Sequence, residues 1–395
     1  MKPAARAQAA IELLDEVIAA ARGGGAAADT LIGRYFKTRR YAGSKDRRAV
    51  RELVYRAIRA WPELPPSGRA GLLGLAREDA ALAELFDGSP HGPAPPQPEE
   101  QGVVPSEDPV PAWLVDRFDP VFGREERPAL LTRAPLDLRV NRLRAAREDV
   151  LAALPGAEPT PLSPLGLRLP EGSAVEESEA WSLGQVEVQD EGSQLLSLAC
   201  SAAPGETVID LCAGAGGKTL ALAAEMADRG RLVASDTDRG RLSRMRPRLE
   251  RAGVTIVEPR LLDPGREREA LQDLAGGADL VLVDAPCSGT GTWRRNPELR
   301  WRLTPERLER YVKLQAYLLD LASELVKPGG RIVYAVCSLL KPEGRDQAEA
   351  FASRSAMVSE DPPMAGGRAA GPGRILTPGY DGTDGFFVAR WRAPC

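Results

Sequence analysis

The apolar positions change period along the chain. Over residues 45–61, Val50, Leu53, Val54, Ala57, Ile58 and Trp61 recur at the spacing of one buried helix face. Arg48 and Arg59 project opposite that face, Arg51 and Arg56 flank it, and Ser44 follows the Gly43 turn as a candidate cap. Residues 4–21, 28–38 and 69–87 read as the other helices of a small bundle, giving a helical domain over 1–88. Eight prolines in residues 89–111 mark a linker, stiff and unable to add to a core.

Residues 112–192 alternate short helix and strand signals (LDLRVNRL, REDVLAAL, LGLRLPEG) and read as a small α+β subdomain. From 193 to 395 the pattern is regular. TVIDL, RLVASD, VTIVE, DLVLVD and RIVYAV are β-branched runs separated by helical stretches, the βαβ signature of a parallel, doubly wound sheet. The final DGFFVARW alternates and predicts an antiparallel edge strand. The expected fold class is α/β: a Rossmann-like core, a small α+β subdomain ahead of it and an N-terminal all-α domain.

Composition narrows the chemistry. The 395 residues contain one histidine, His91, which lies in the proline-rich stretch. That argues against a Ser-His-Asp triad, an HExxH zinc helix and a histidine base. The five cysteines (200, 212, 287, 337, 395) form no Cys-x-x-Cys pair, which argues against a disulfide framework and a cysteine zinc site; no metal is expected. No run reaches the ~18 apolar residues of a membrane span, and the first residues lack the apolar core of a secretory leader, so a cytoplasmic protein without a membrane partner is expected. The net charge of −4 conceals +7 over residues 1–60 and +3 over 284–395. Either basic stripe alone, RYFKTRRYAGSKDRRAVRELVYRAIR or WRRNPELRWRLTPERLERYVK, reads first as a solvated helix face; the two together, with interleaved aromatics, raise a nucleic-acid reading. Arg outnumbers Lys 45 to 7, which can reflect genomic base composition as much as phosphate binding.

The first strand of the core runs into Asp210-Leu-Cys212-Ala213-Gly214-Ala215-Gly216-Gly217-Lys218-Thr219 and then a helix. Glycines at such a turn let a ligand approach the backbone under the positive end of the helix dipole. A Walker A loop would need glycine where Cys212 stands, and a dinucleotide loop lacks its third glycine, so an NTPase remains open but incomplete. The third candidate ligand is S-adenosylmethionine, with Asp236, 20 residues beyond Gly216, on its ribose.

The fourth strand decides between these. LVLVDAPCSGTG ends with Asp284 and Cys287, and the next strand, GGRIVYAVCSLL, delivers Cys337 to its own end. Adjacent strand ends of an open α/β sheet share one crevice. Singly, a cysteine in an apolar strand is more often inert core than nucleophile. Two of them beside Asp284 and a glycine loop are harder to dismiss. The chemistry that wants two thiols, a carboxylate and a methyl donor is C5 methylation of a pyrimidine, because C5 of cytosine is too weak a nucleophile until a thiolate adds to C6.

On these motifs the chain resembles the Sun/RsmB (Fmu) family of ribosomal RNA cytosine-C5 methyltransferases over nearly its full length. DLCAGAGGKT resembles that family's cofactor loop, DAPCSGTG its fourth motif and VCSL its sixth; RYAGSKDRRAVRELVY resembles its NusB-like RNA-binding domain, and LRVNRL and VQDEGSQL its pre-core subdomain. The resemblance implies that Cys337 attacks C6, that Cys287 assists product release and that Asp284 contacts the base edge near the methionine end of the cofactor. Cysteines in both motifs point to RNA, since DNA cytosine-5 enzymes use the fourth-motif cysteine as nucleophile. Cys212 to Lys218 would form the S-adenosylmethionine loop, with Asp236 on the ribose and Asp263 near the adenine. Arg260 competes with Asp263 for that last register, Ala215 stands where the family has proline, and Val336 where it has threonine. Cys200 and Cys395 read as structural or incidental, and Cys212 as backbone support, while Trp293, Arg294 and Arg295 read as RNA contacts. The expected substrate is small-subunit ribosomal RNA, with transfer RNA the rival and a monomer the expected state. A P-loop-like NTPase and a non-catalytic NusB-like RNA-binding factor are the readings of other classes.

Overall fold

A computed structural model of the protein describes residues 1–102 and 104–395. The chain divides into two compact units: Met1–Asp116 with Arg127–Thr132 and Trp293–Thr304, and Arg117–Glu126 with Arg133–Thr292 and Pro305–Cys395.

The first unit is helical: α1 (Pro3–Gly23), α2 (Ala28–Thr38), α3 (Ser44–Ala60), α4 (Gly68–Ala76) and α5 (Ala80–Ala83). The periodic face of α3 is its core face: Val50, Val54 and Ile58 are fully buried with Leu13, Leu14 and Val17 of α1 and Leu72 of α4. Gly68 lets α4 start against α1, since a Cβ there would fall 2.2 Å from the Ile11 carbonyl oxygen. Two local expectations change. Ser44 is the first helical residue of α3, not its cap; Gly43 caps, and its N–H donates to Asp46 Oδ2 at 3.2 Å. The helix expected over 69–87 breaks before Asp79, whose carboxylate accepts from the Leu82 N–H and starts α5.

Trp293–Thr304 belongs to this unit, although the surrounding sequence lies in the other. Trp293 and Trp301 are buried, and Arg300 is 2% exposed. The Arg300 guanidinium donates to the carbonyl oxygens of Ile58 (2.6 Å), Arg59 (3.2 Å), Pro109 (2.7 Å) and Pro297 (3.2 Å). Trp301 Nε1 donates to the Trp61 carbonyl at 2.8 Å, and Arg302 to that of Gly25 at 2.8 Å. The last carbonyls of a helix have no partner within it, and a cation at that end also meets the negative pole of the dipole. The second basic stripe therefore supplies structural cations. Trp293 and Arg294, expected to hold RNA, are 0% and 5% exposed and are interior residues instead.

The second unit carries two sheets. In the smaller, β1 (Leu136–Val140), β2 (Glu158–Pro159), β3 (Gly166–Leu169) and β4 (Val186–Val188) pair antiparallel in the order β2-β3-β1-β4. Leu138, Val140 and Leu167 share a core with Val150 of the helix Arg147–Ala153. The larger sheet holds β5 (Thr207–Asp210), β6 (Arg231–Asp236), β7 (Val257–Leu261), β8 (Ala278–Asp284) and β9 (Val326–Val336), parallel and in the order β7-β6-β5-β8-β9. Beyond β9, β13 (Phe386–Arg392) is antiparallel, and β10 (Val358–Glu360), β11 (Arg368–Ala370) and β12 (Gly373–Leu376) complete the sheet.

The core strands fall where the apolar runs predict, with two differences. The strand expected at VTIVE starts later, at Val257, because Gly253, left-handed at φ +70°, ends a helix and turns Val254 into that helix's buried closing contact. β13 is not an edge strand. It pairs with β9, β12 and β10 and is buried along most of its length, which its mixed aromatic and arginine sequence disguised. No described helix is long and apolar enough to cross a membrane.

Candidate active site

Strand order reverses between β5 and β8, and ligands of open α/β sheets bind outside the C-terminal ends of strands at such a point. The loop after β5 opens there. Gly214 and Gly216 take φ of +57° and +85°, conformations that other residues enter at a cost, and Gly216 caps the helix Gly217–Glu225. The loop is fixed from outside: Gly214 N–H donates to Asp236 Oδ2 (2.8 Å), Ala213 N–H to the Ser235 carbonyl (2.9 Å), and the Arg248 guanidinium to the Ala215 carbonyl (2.6 Å). Asp236, at the end of β6, thus uses one carboxylate oxygen to hold the loop, while the other accepts from the Asp238 N–H.

Behind the loop, Asp210 is fully buried. Thr219 Oγ1 donates to its Oδ2 at 2.7 Å, and Oδ1 has no hydrogen-bond partner among the described residues. Burial pushes its carboxyl up to about 7, against the Thr219 hydrogen bond. Lys218 crosses the end of β5 to reach Asp284 Oδ2 at 2.7 Å. Burial pulls its ammonium down, but Asp284, with Cys337 and Asp210 further off, more than reverses this.

The two cysteines meet. Asp284 of β8 pairs with Ala335 of β9, so the chain leaves both strands at one level, and Cys287 Sγ lies 3.3 Å from Cys337 Sγ. Both are partly exposed. The contact with Cys337 and burial push the Cys287 thiol well above its ordinary range, and the Glu343 carboxylate adds to this. The site therefore brings Cys212–Lys218, Asp284, Cys287 and Cys337 together, with Asp236 beneath the loop.

Asp263 is exposed just past β7, one residue beyond Leu262, whose N–H donates to the Asp236 carbonyl. Arg260 sits within β7 with its guanidinium turned to Asp273 and the Ala270 carbonyl. Of the two, Asp263 has the strand-end position. Cys200 is a buried core residue, raised to about 12 by burial, and Cys395 is exposed.

The sequence reading missed Glu343. It is fully buried, and its carboxylate accepts from the Ser288 N–H (2.8 Å), Gln315 Nε2 (3.0 Å), Ser338 Oγ (2.6 Å) and Ser288 Oγ. Ser288 and Ser338 directly follow the two cysteines. That repeated Cys-Ser dipeptide at adjacent strand ends was the available signal; a shared buried acceptor for both serines is what it implies.

The sheet order and the strand-end site define a Rossmann-like methyltransferase fold. Residues 197–392 match the family model of the 16S rRNA methyltransferase RsmB/F, and residues 110–176 that of the RsmF/B-like ferredoxin-like domain. The ribosomal RNA small subunit methyltransferase B of Salmonella typhi is 35% identical over 290 residues, 71% of this chain and 65% of that one. The crystal structure of PH0851 matches with a TM-score of 0.76 and 26% identity, covering 99% of each chain. A methyltransferase homolog protein from Pyrococcus horikoshii gives 0.60 and 27%, over 68% of this chain and 90% of that one. The chain belongs to the RsmB/F methyltransferase family. It spans 65–66% of the length of the curated relatives named B, just under two thirds.

Proposed function

We propose that this protein is an S-adenosylmethionine-dependent RNA cytosine-C5 methyltransferase acting on small-subunit ribosomal RNA in the cytoplasm as a monomer. The observation that carries the reading is the pair of thiols 3.3 Å apart beside the Lys218–Asp284 ion pair. The relatives' names supply the ribosomal RNA.

The loop suits the cofactor. Two left-handed glycines open the loop backbone, a Cβ at Gly217 would meet nothing nearer than 3.9 Å, and the unpartnered Asp210 Oδ1 offers a buried acceptor. Cys212–Lys218 would hold its amino-acid end, Asp236 its ribose and Asp263 its adenine side. When bound, S-adenosylmethionine supplies an electrophilic methyl group.

The protein's own residues prepare the base. Cys337, in the same cleft as the Lys218–Asp284 ion pair, would react as its thiolate. That thiolate adds to C6 of an unstacked cytosine, breaking the C5–C6 double bond and making C5 enamine-like. Asp284, held by Lys218, faces the base edge. Once C5 carries the methyl group its proton passes to water, the double bond re-forms, and the C6–S electron pair returns to Cys337 Sγ. Cys287, a thiol kept protonated beside that sulfur, assists this departure.

Cys287→Ala is expected to form the adduct but release it slowly, so a covalent enzyme–RNA complex accumulates as a gel shift; clean turnover would contradict the assignment. Thermal shift should respond to S-adenosylmethionine and not to ATP, which separates this reading from an NTPase. Bisulfite-resistant cytosines lost from ribosomal RNA in cells lacking the protein would identify the substrate, and losses in transfer RNA instead would overturn that part.

A further inference from the structure

Neither thiol is held by its own strand. Cys287 lies past the end of β8 and Cys337 just past the end of β9, on the two loops that follow these strands. Two hydrogen bonds join these loops directly, from the Gly291 N–H to the Cys337 carbonyl (3.1 Å) and from the Leu339 N–H to Thr290 Oγ1 (2.9 Å), and the serines that follow the two cysteines converge on one buried carboxylate. Glu343 Oε1 accepts the Ser288 N–H and Gln315 Nε2, and Oε2 accepts the hydroxyls of Ser288 and Ser338. Gln315 Nε2 also donates to the carbonyl of Pro286 (3.0 Å), the residue before Cys287. Ser338 Oγ lies 3.1 Å from both Ser288 Oγ and Thr290 Oγ1, so the hydroxyls form one cluster. Glu343 itself is anchored where Tyr334 of β9 donates to its carbonyl at 2.6 Å.

A buried carboxylate is costly unless every lone pair is met. Here two N–H donors and two hydroxyls meet it, and all but the Gln315 amide come from the residue after one cysteine or the other. The arrangement exceeds what packing requires, since an apolar residue would fill the same volume without a charge.

We propose that Glu343 is the positioning residue of the thiol pair: it fixes the 3.3 Å separation of the sulfurs, so that the Cys287 S–H is aimed at Cys337 Sγ when the C6–S bond breaks. The inference rests on the methyl-transfer reading. It adds that release depends on a residue that touches neither RNA nor cofactor. Burial pushes the Glu343 carboxyl up against its four hydrogen bonds, and when ionised its charge opposes loss of the proton from Cys287.

The test is the fate of the adduct. Full-length Glu343→Gln keeps the volume but removes the charge and turns one acceptor into a donor facing donors. Incubated with substrate RNA and S-adenosylmethionine, it should accumulate the covalent complex as Cys287→Ala does, with kcat lowered by about a hundredfold, the scale of a small misplacement at a reacting centre. KM for S-adenosylmethionine should be unchanged. A merely structural role predicts lost activity with no adduct, and that result, or wild-type turnover, overturns the proposal. If Glu343→Gln does not fold, Ser338→Ala decides in its place, since it removes one tie and keeps the charge: adduct accumulation supports the proposal and normal release overturns it. Cys287→Ala, run beside them, separates the failures. Should it form no adduct either, the methyl-transfer reading falls; should it alone form one, only the role of Glu343 does.

Discussion

Cys337→Ala is expected to lower methyl transfer to RNA by more than about a thousandfold, the scale on which removing a covalent nucleophile acts. S-adenosylmethionine should still bind with unchanged affinity. The two halves of this expectation have separate origins. The cofactor loop is shaped by Gly214, Gly216, Asp236 and Arg248, none of which depends on the sulfur of Cys337. In the proposed mechanism the activation of C5, by contrast, depends on that sulfur, and Cys287, 3.3 Å away, has its own thiol pushed well up by the contact with Cys337, by burial and by Glu343. Methylation measured with labelled cofactor and binding measured by calorimetry would check both. Retained activity in this variant would remove the covalent mechanism.

Arg300→Met should unfold the helical unit at lower denaturant, by roughly 3–5 kcal/mol, since each buried carbonyl left without a donor costs about 1–3 kcal/mol. Four carbonyl oxygens would be left without the guanidinium that now meets them, two of them at the C-terminal end of α3. Methionine keeps much of the apolar stem, so the effect isolates hydrogen bonding from volume. Chemical denaturation followed by tryptophan fluorescence suits this region, because Trp61, Trp293 and Trp301 are all buried. A change below about 1 kcal/mol would mean that water satisfies these carbonyls as well as the arginine does.

The parallel strands and the thiol pair were legible because each obeys a local rule. β5, β6, β8 and β9 are β-branched runs buried on both faces, and the ends of adjacent parallel strands share a crevice regardless of what surrounds them. The stripe from Trp293 to Arg302 was misread for the opposite reason. Its charges answer to carbonyls at residues 25, 58, 59 and 109, and contacts at such separations leave no periodic trace. Charge counting treats every arginine as a surface residue. The first stripe differs: Arg51 and Arg56 pair with Asp29 and Asp79 at exposed or half-exposed positions between helices, and Arg34, Lys37, Arg40, Lys45 and Arg48 are exposed. Glu343 escaped notice because a lone glutamate after a turn looks like solvent-facing chain. Only the tertiary fold reveals that it is buried beneath two serines. Asp263 was ambiguous by register alone; β7, which starts three residues into the apolar run, leaves it just past the strand end.

The inclusion of Trp293–Thr304 in the helical unit bears on how this protein can be divided. A chain severed between residues 89 and 111 would, by its sequence, yield two independent pieces. Yet the carbonyls of Ile58, Arg59 and Trp61 belong to one piece, and the Arg300 and Trp301 side chains that meet them to the other. The nicked halves should migrate together under native conditions and part only in denaturant. Each half expressed alone lacks something the other supplies: the first is left with open helix-end carbonyls, the second with uncovered tryptophans. What joins the two pieces is one twelve-residue excursion of the chain.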